Sequence, residues 1–372
     1  MTTCFISRNH PRVVRLLLLL LAGFSSAAAQ AQFNFTTNAD NTITITGYTG
    51  PQSVVVTVPD TITGLPVTVI GDEAFFGANI NGVNFPSQLA SLGEGVFDNN
   101  FSWGGPVTFP STLTNIGPAC FSATEISSFS IPASVVSIGD GAFANAYGVS
   151  AITVDPANPY YSNSPEGVLF SKDGTSLLQY PDSRPGPYTI PATVSYIGYG
   201  AFAGSEHLSS ISVPNAVTNV GDRAFGNSYL VTITFGTNVA NIGYGEFQTA
   251  YNLQGIYFQG NAPTFAGGEF TSFLHPIVYY LPGTTGWGNS FDTVSAELWN
   301  PQAIAAGVQN NQFGFNITGS TNLTVVVQGA TNLVNPSWEA LSTISLTTAG
   351  TGTFSDADWI NHPSRFYRFT NP

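Results

Sequence analysis

The 372-residue sequence predicts a β-rich solenoid with an inserted β-hairpin, followed by a small antiparallel β-sandwich-like domain. Three observations predict this fold. A ten-residue phrase recurs along the chain, a second phrase alternates apolar and polar residues as a half-buried strand does, and the recurrence stops near Asn300. Since no single repeat can bury its apolar face alone, the repeats are expected to stack.

The first phrase contains an apolar residue followed by glycine, as in SIGDGAFANA, which begins at Ser137. Seven such pairs are separated by 22, 24, 22, 59, 23 and 22 residues. The glycine permits a tight bend, and a phenylalanine at a fixed offset is expected to fill the gap between coils. The predicted repeat core contains Ile70, Phe75, Phe97, Ile116, Phe121, Ile138, Phe143, Ile197, Phe202, Phe225, Ile242 and Phe247.

The second phrase reads apolar-x-x-apolar-x-apolar and usually ends in proline, which cannot donate to a strand ladder. The polar residue between its last two apolar positions points away from the core. These positions are uncharged along the whole array. We expect them to form a ligand-binding face for a peptide or a glycan, although threonine also suits strands without any function. The predicted face contains Asn84, Thr108, Ser130, Thr153, Thr189, Ser212, Thr234 and Tyr257, and Thr57 and Tyr279 extend it.

Together the two phrases resemble the BspA-like leucine-rich repeats of bacterial surface proteins, whose pattern is roughly L-x-x-I-x-I-P-x-x-V-x-x-I-G-x-x-A-F. The resemblance covers about Gln52 to Trp299. Two departures are local: the stretch from Phe101 to Pro106 adds two residues, and Gly236 replaces the proline that ends the strand. The resemblance implies an extracellular solenoid that binds proteins or cell surfaces, and it implies no catalytic residues.

The N-terminus predicts a signal peptide over residues 1–31. Arg8, Arg12 and Arg15 precede a short apolar run, and the small residues of Ala29-Gln30-Ala31 provide a cleavage site. We therefore expect a bacterial protein that is exported and is either secreted or held at the cell surface. No later stretch is long and apolar enough for an integral membrane span.

The solenoid is expected to occupy residues 32–300, with a cap at each end. The segment from Val54 to Pro59 has the strand pattern without a preceding coil and is assigned to the N-terminal cap. The segment from Ile277 to Pro282 is predicted as the last strand. Trp287 follows it and either closes the apolar core or provides a platform for sugar stacking.

The 59-residue interval predicts an insert at about residues 155–187. Asp173-Gly174 between two apolar runs favours a β-hairpin. The tyrosines Tyr160 and Tyr161 either pack against the array or bind a ligand.

Residues 301–372 are predicted to form the small antiparallel β domain. Thr331-Asn332-Leu333, Trp338-x-x-Leu341 and Arg365-Phe366-Tyr367-Arg368 are similar to phrases in the C-terminal modules of exported proteins from environmental bacteria. Anchoring, sorting and structural capping are all compatible with such a module.

The composition argues against several functions. Only 8% of the residues are charged. Removal of the three leader arginines leaves five basic residues against 21 acidic ones, a net charge of −16. This charge argues against nucleic acid as a partner, because binding phosphates requires clustered Lys and Arg.

The sequence contains no arrangement that predicts catalysis or a cofactor. Beyond the leader, the histidines are His207, His275 and His362, and none falls in a metal-binding motif. Cys120 occupies a slot that holds Ala in sister repeats and is expected to be buried. Asp356 and Asp358 are weak candidates for calcium ligands. We expect a non-catalytic protein that binds an extracellular protein or glycan; the alternative is a surface protein that binds or degrades carbohydrate.

Overall fold

The computed structural model describes residues 31–268 and 275–371. The described residues divide into two compact units, one that extends to Asp173 and includes Leu178–Ser183, and one that includes Gly174–Leu177 and begins again at Arg184. The signal peptide expected at residues 1–31 lies, except for its last residue, outside the described residues. Among the described residues, no helix has the length and apolar character needed to cross a bilayer.

The first unit consists of short strands joined by turns. Its strands are β1 (Phe33–Thr37), β2 (Ile43–Tyr48), β3 (Val55–Thr57), β4 (Thr61–Ile62), β5 (Leu65–Ile70), β6 (Gly82–Asn84), β7 (Ser91–Leu92), β8 (Pro106–Thr108), β9 (Asn115–Ile116), β10 (Ser128–Ile131), β11 (Ser137–Ile138), β12 (Ala151–Val154), β13 (Tyr161–Asn163) and β14 (Leu169–Ser171).

The coils of the first unit form parallel ladders. Residues of the second phrase form the strand pair β3–β6 and the sheet β8–β10–β12. Residues of the apolar-Gly phrase form the two-residue strands β7, β9 and β11. The sheet is interrupted between β6 and β8, where Phe101 to Pro106 adds two residues. Within that segment Trp103 is buried, and its ring lies 5.2 Å from that of Phe97, so the extra residues contribute to the core.

The repeat phenylalanines of the first unit stack from coil to coil. The ring centroids of Phe75 and Phe97 lie 5.3 Å apart, those of Phe97 and Phe121 5.2 Å, and those of Phe121 and Phe143 6.0 Å. All four rings are buried. These rings therefore fill the gap between coils, as predicted for the repeat phenylalanines.

An N-terminal hairpin covers the first coil. Strands β1 and β2 pair antiparallel, and β2 then pairs parallel with β5. Phe33 and Tyr48 lie close to Phe75, with ring centroids 6.3 and 5.1 Å from it. The repeat phrases do not predict this hairpin, because its residues do not follow the repeat pattern.

The insert begins with a loop whose residue Asn158 is fully buried and hydrogen-bonds to the preceding coil. Its amide nitrogen donates to the carbonyls of Pro132 and Val135, at 2.9 and 3.0 Å, and its oxygen accepts from the backbone N–H groups of Tyr160 and Tyr161. The Tyr161 hydroxyl in turn accepts the backbone N–H of Ile138 at 2.9 Å. Tyr161 therefore packs against the array, whereas Tyr160 is exposed.

The second unit contains the remaining repeats and the C-terminal strands, and only the first two residues of β15 belong to it. Its strands are β15 (Ser176–Gln179), β16 (Gly186–Thr189), β17 (Tyr196–Ile197), β18 (Leu208–Ser212), β19 (Asn219–Val220), β20 (Thr232–Phe235), β21 (Asn241–Ile242), β22 (Gly255–Phe258), β23 (Thr264–Phe265), β24 (Ile277–Tyr280), β25 (Ser290–Phe291), β26 (Val294–Leu298), β27 (Gln302–Gln309), β28 (Gln312–Thr318), β29 (Thr324–Ala330), β30 (Glu339–Ser345), β31 (Thr351–Asp356) and β32 (Phe366–Thr370), with a 3₁₀ turn at Trp359–Asn361.

The repeats of the second unit continue the same construction. Strands β16, β18, β20, β22, β24 and β26 pair in parallel, and Phe202, Phe225 and Phe247 stack with centroids 5.5 and 6.2 Å apart. Trp287 lies against Phe258, with ring centroids 5.0 Å apart, and its indole N–H donates to the Gly260 carbonyl at 3.3 Å. The position of Trp287 fits the expected role of closing the apolar core.

The C-terminal strands form two antiparallel sheets, β27–β28–β31 and β30–β29–β32. Their apolar residues share one core that includes Phe315, Val325 and Phe354. This arrangement confirms the predicted small antiparallel β domain after the solenoid. Strand β27 lies at the edge of its sheet, is largely exposed on both faces and contains no charged residue.

Candidate functional site

In the first unit, the strands align the polar residues of the predicted face in register. Ser130 lies beside Thr108 on one side and Thr153 on the other. Asn84 pairs with Thr57, and its amide donates to the Thr57 hydroxyl at 3.0 Å. All five side chains are exposed. This part of the face therefore offers hydroxyl and amide groups from one coil to the next, with no charge among them.

In the second unit, strand pairing aligns a separate set of face positions with one another: Thr189, Ser212, Thr234, Tyr257 and Tyr279. Thr189 and Ser212 are exposed, Thr234 is half-buried, and the two tyrosines are buried. Burial thus increases along the strands at the same positions. The residue type changes with it, from small hydroxyl side chains to aromatic ones.

The C-terminal strands cause this burial. Tyr257 and Tyr279, whose rings stack at 5.1 Å, belong to the same apolar core as Phe315 and Val325 of the C-terminal sheets. Burial raises the pKa of the Tyr257 hydroxyl well above its usual range and raises the pKa of Tyr279 to about 12, with Glu297 a second cause for Tyr279. Both hydroxyls are therefore neutral at physiological pH. One end of the sheet face is thus a surface on which the C-terminal strands pack.

A cavity of about 170 Å³ lies where the end of β32 meets the repeats. Gln259, Trp299, Phe369 and Asn371 line it together with the two stacked tyrosines, and none of its ten lining residues is charged. The Asn371 amide donates to the hydroxyl of Thr234, which is one of the predicted face residues. The repeat pattern does not predict Trp299, Phe369 or Asn371 as site residues.

Asp356 and Asp358, the calcium candidates, both face Arg365. The Arg365 Nε lies 3.0 Å from the Asp356 carboxylate, and its guanidinium lies 3.6 Å from that of Asp358. Tyr367 donates to Asp356 and His362 contacts Asp358, each at 2.9 Å. Hydrogen bonds from Asn361 and His362 lower the pKa of Asp358, with a smaller contribution from Arg365. The guanidinium supplies here the positive charge that a bound cation would otherwise supply.

The predicted repeat core is buried at every position except Ile138, which is partly buried and packs against the core of the first unit. Cys120 is buried as expected, and burial raises the pKa of its thiol well above the usual range. Glu246 is the unexpected member of the core. It occupies the slot that holds Ala74, Ala142 and other small residues in sister repeats, yet it is fully buried.

The environment of Glu246 disfavours its charged form. Neither carboxylate oxygen has a hydrogen-bond partner among the residues that the structure describes. Burial raises the pKa of Glu246 well above its usual range. The backbone N–H groups of Phe225 and Ala224 lower this pKa by less, since they lie near the carboxylate without meeting the geometry of a hydrogen bond. Glutamate in the alanine slot is visible in the sequence as the phrase NIGYGEF, so a position-by-position reading of the repeats identifies it.

The histidines of the described residues are either exposed or paired with a carboxylate. His207 and His275 are exposed, and His362 is held by Asp358. Across residues 31–268 and 275–371, no three His, Cys, Asp or Glu side chains come together as a metal site.

The stacked coils, each with a short strand, an apolar-Gly bend and a buried phenylalanine, define a leucine-rich repeat protein. The family model described as the BspA type leucine rich repeat region matches six copies, over residues 56–164 and 187–277. These residues make up more than half of the chain. The chain belongs to the BspA-type leucine-rich repeat family, as its repeat phrases predicted.

A comparison with solved structures finds bacterial leucine-rich repeat proteins. A leucine-rich repeat protein from Eubacterium ventriosum is 23% identical, with a TM-score of 0.51 over 68% of this chain and 77% of that one. A leucine rich cell surface protein from Faecalibacterium prausnitzii is 22% identical, with a TM-score of 0.42 over 68% and 88%. A leucine-rich repeat protein from Bacteroides ovatus is 19% identical, with a TM-score of 0.42 over 67% and 70%. A comparison with curated proteins finds no match.

Proposed function

We propose that the protein is a non-catalytic binding or adhesion protein, exported by residues 1–31 and secreted or held at the bacterial surface. Its ligand is an extracellular protein or a glycan, and the exposed part of the predicted face binds it. The observation that carries the proposal is the register of the polar residues, which sets Thr108, Ser130 and Thr153 side by side on adjacent strands of the first unit.

The chemistry of this face supports binding to a neutral, extended partner. Hydroxyl and amide groups both donate and accept hydrogen bonds, so they match a peptide backbone or sugar hydroxyls equally well. The side chains are short, so ordering them on binding costs little conformational entropy. The face itself carries no charged side chain, so a neutral partner buries no unpaired charge on it.

Single lysine substitutions test this proposal in each unit separately. The mature chain is labelled and applied to an array of extracellular-matrix proteins and glycans. We expect Thr153→Lys to abolish binding that depends on the first unit and Ser212→Lys to abolish binding that depends on the second. Ser111→Lys and Ala216→Lys place the same charge on exposed turns and are the matched controls.

The outcomes separate clearly. If both face variants bind as the wild type does, while all four variants keep the wild-type unfolding midpoint, the ligand lies elsewhere. Tyr160 of the insert and the C-terminal domain are then the next candidates. If the control variants lose binding too, the effect is one of charge and not of position.

A second candidate function is carbohydrate recognition or degradation. The uncharged aromatic cavity beside Trp299 favours recognition. We further propose residues 32–300 as the solenoid and residues 301–372 as a structural module that covers part of the sheet face.

A further inference from the structure

We propose that the cavity between the repeats of the second unit and strand β32 binds one ring of a neutral saccharide. The cavity lies on the part of the sheet face that the C-terminal strands cover, so this site is separate from the exposed face to which we assign adhesion. Four features of the cavity support this proposal: its lack of charged side chains, its aromatic rings, its amide groups and its size.

The lining of the cavity carries no charged side chain and therefore disfavours ionic ligands. No Asp, Glu, Lys, Arg or His side chain lines the cavity. A phosphate, carboxylate or ammonium group that entered it would lose hydration without gaining a counter-charge, which is strongly unfavourable. The site is therefore suited to a ligand whose polar groups are neutral, such as the hydroxyls of a hexose or pentose.

Aromatic rings form much of the cavity wall. Trp299, which follows the last strand of the repeats, and Phe369 of β32 are both partly exposed there, and the stacked pair Tyr257 and Tyr279 is buried beside them. The face of an aromatic ring is electron-rich and attracts the positively polarised C–H groups of a flat apolar surface. The axial C–H groups of a pyranose ring form such a surface.

Amide groups at the cavity provide directional contacts. Gln259 is exposed, and its side chain has no hydrogen-bond partner among the described residues. Asn371 is held in place by its bond to Thr234 and accepts a bond from the Thr370 hydroxyl at 3.3 Å, which leaves one N–H for a ligand. An amide donates and accepts at once, as a sugar hydroxyl does, so each can form a pair of complementary bonds.

The size of the cavity limits the ligand to one ring. Sites for drug-sized ligands usually measure about 300–1,000 Å³, and this cavity has about 170 Å³. A polysaccharide would therefore place only its chain end or a side branch in the cavity. This limit distinguishes the proposed site from an open groove, which follows several rings of a chain.

The experiment is a calorimetric titration of the mature chain with oligosaccharides of glucose, galactose, xylose and N-acetylglucosamine, together with a uronic-acid oligosaccharide and an uncharged peptide. We expect at least one neutral oligosaccharide to bind, and the uronic-acid one to bind at least about tenfold more weakly. Gln259→Ala and Trp299→Phe should each weaken binding by roughly tenfold. Gln254→Ala removes an exposed glutamine outside the cavity and should leave the affinity unchanged.

The proposal fails if no neutral oligosaccharide binds at millimolar concentration, if Gln259→Ala binds as the wild type does, or if the peptide is the tighter ligand. Gln259 is exposed, so its substitution tests the site without a risk to folding. Thr153→Lys is titrated in parallel. Its unchanged saccharide affinity, beside lost binding to the proteins of the array, shows that the two proposals stand or fall independently.

Discussion

The side-chain amide of Asn371 donates a hydrogen bond to the hydroxyl of Thr234, which lies 137 positions earlier in the sequence. Thr234 belongs to the predicted face of polar residues on the repeat strands. Asn371 directly follows the last strand of the C-terminal domain. The bond therefore joins the two parts of the second unit at the edge of the cavity. It also shows that a residue assigned to ligand binding by its repeat position can serve the packing of the chain itself.

Phe143→Ala should destabilise the protein by about 3–5 kcal/mol, because the substitution leaves a cavity in a fully packed core. The Phe143 ring lies 6.0 Å from that of Phe121 and 4.4 Å from that of Phe129, so no neighbour can close the gap without moving a coil. The free energy of unfolding in urea measures the effect. Phe76→Ala, at a half-exposed ring, is the control and should cost less than about 1 kcal/mol.

A wild-type midpoint for Phe143→Ala would show that the repeat phenylalanines contribute little to the core. A large loss for Phe76→Ala would instead point to a general sensitivity of the turns.

A chain that ends at Asn300 should keep its parallel strands, because each coil takes its hydrogen bonds from adjacent coils. It should also expose Tyr257 and Tyr279, which the C-terminal domain buries. We expect retained β-type circular dichroism together with increased fluorescence of a hydrophobic dye. The same truncation with both tyrosines replaced by Thr, the residue type of earlier face positions, should bind less dye.

Loss of β-type dichroism in the truncated chain, with protease sensitivity throughout, contradicts the division at residue 300. In that case the C-terminal domain is a part of the solenoid fold and not a separate module.

Glu246 should make the stability of the protein decrease as the pH rises. Because the folded-state pKa of Glu246 is raised, the unfolded chain releases its proton first, at about pH 4.3, while the folded chain keeps it. Between the two pKa values the free energy of unfolding falls by up to about 1.4 kcal/mol per pH unit. Glu246→Ala restores the residue of sister repeats and should remove this part of the pH dependence.

The measurement is urea unfolding of wild type and Glu246→Ala at pH 4, 5, 6 and 7, with the exposed Glu94→Ala as the control. The stability advantage of Glu246→Ala should grow with pH. Parallel curves for the two proteins would mean that the carboxylate finds a partner in the folded state.

Arg365→Gln should destabilise the C-terminal domain by about 3–5 kcal/mol, because it leaves the buried Asp356 carboxylate without its counter-charge. Arg368→Gln in the same phrase is the matched control. Arg368 is exposed, and it stacks on Trp338 and contacts Gln328, so we expect a loss below about 1 kcal/mol. Thermal unfolding of both variants, with and without calcium, gives the comparison.

Equal midpoints for the two arginine variants would remove the structural role that we assign to Arg365. A midpoint of the wild type that rises with calcium would support Asp356 and Asp358 as metal ligands.

The repeat pattern was sufficient to predict the coils, the stacked phenylalanines and the register of the polar residues on the predicted face, because each follows from a short phrase and its period. It did not predict the hairpin of Phe33 and Tyr48, which covers the first coil with residues outside the phrase. Nor did it predict the cavity, because the contact of Asn371 with Thr234 has no local signature. The sequence contains one indication of this packing. The residues of the predicted face change from Ser and Thr to tyrosine at Tyr257 and Tyr279, where the C-terminal domain packs.

The exposed edge strand β27 affects the tendency of the protein to aggregate at high concentration. An uncharged edge strand of eight residues invites another chain to add a strand, and repetition of that step produces fibres. The pairing of β27 with β28 shifts register between Ile304 and Gly307, and Ala305 in this stretch has a left-handed φ of 53°. Such a bulge twists the strand and disrupts regular pairing. The kink at Ala305 thus opposes regular strand addition at this edge, and straightening it would favour aggregation.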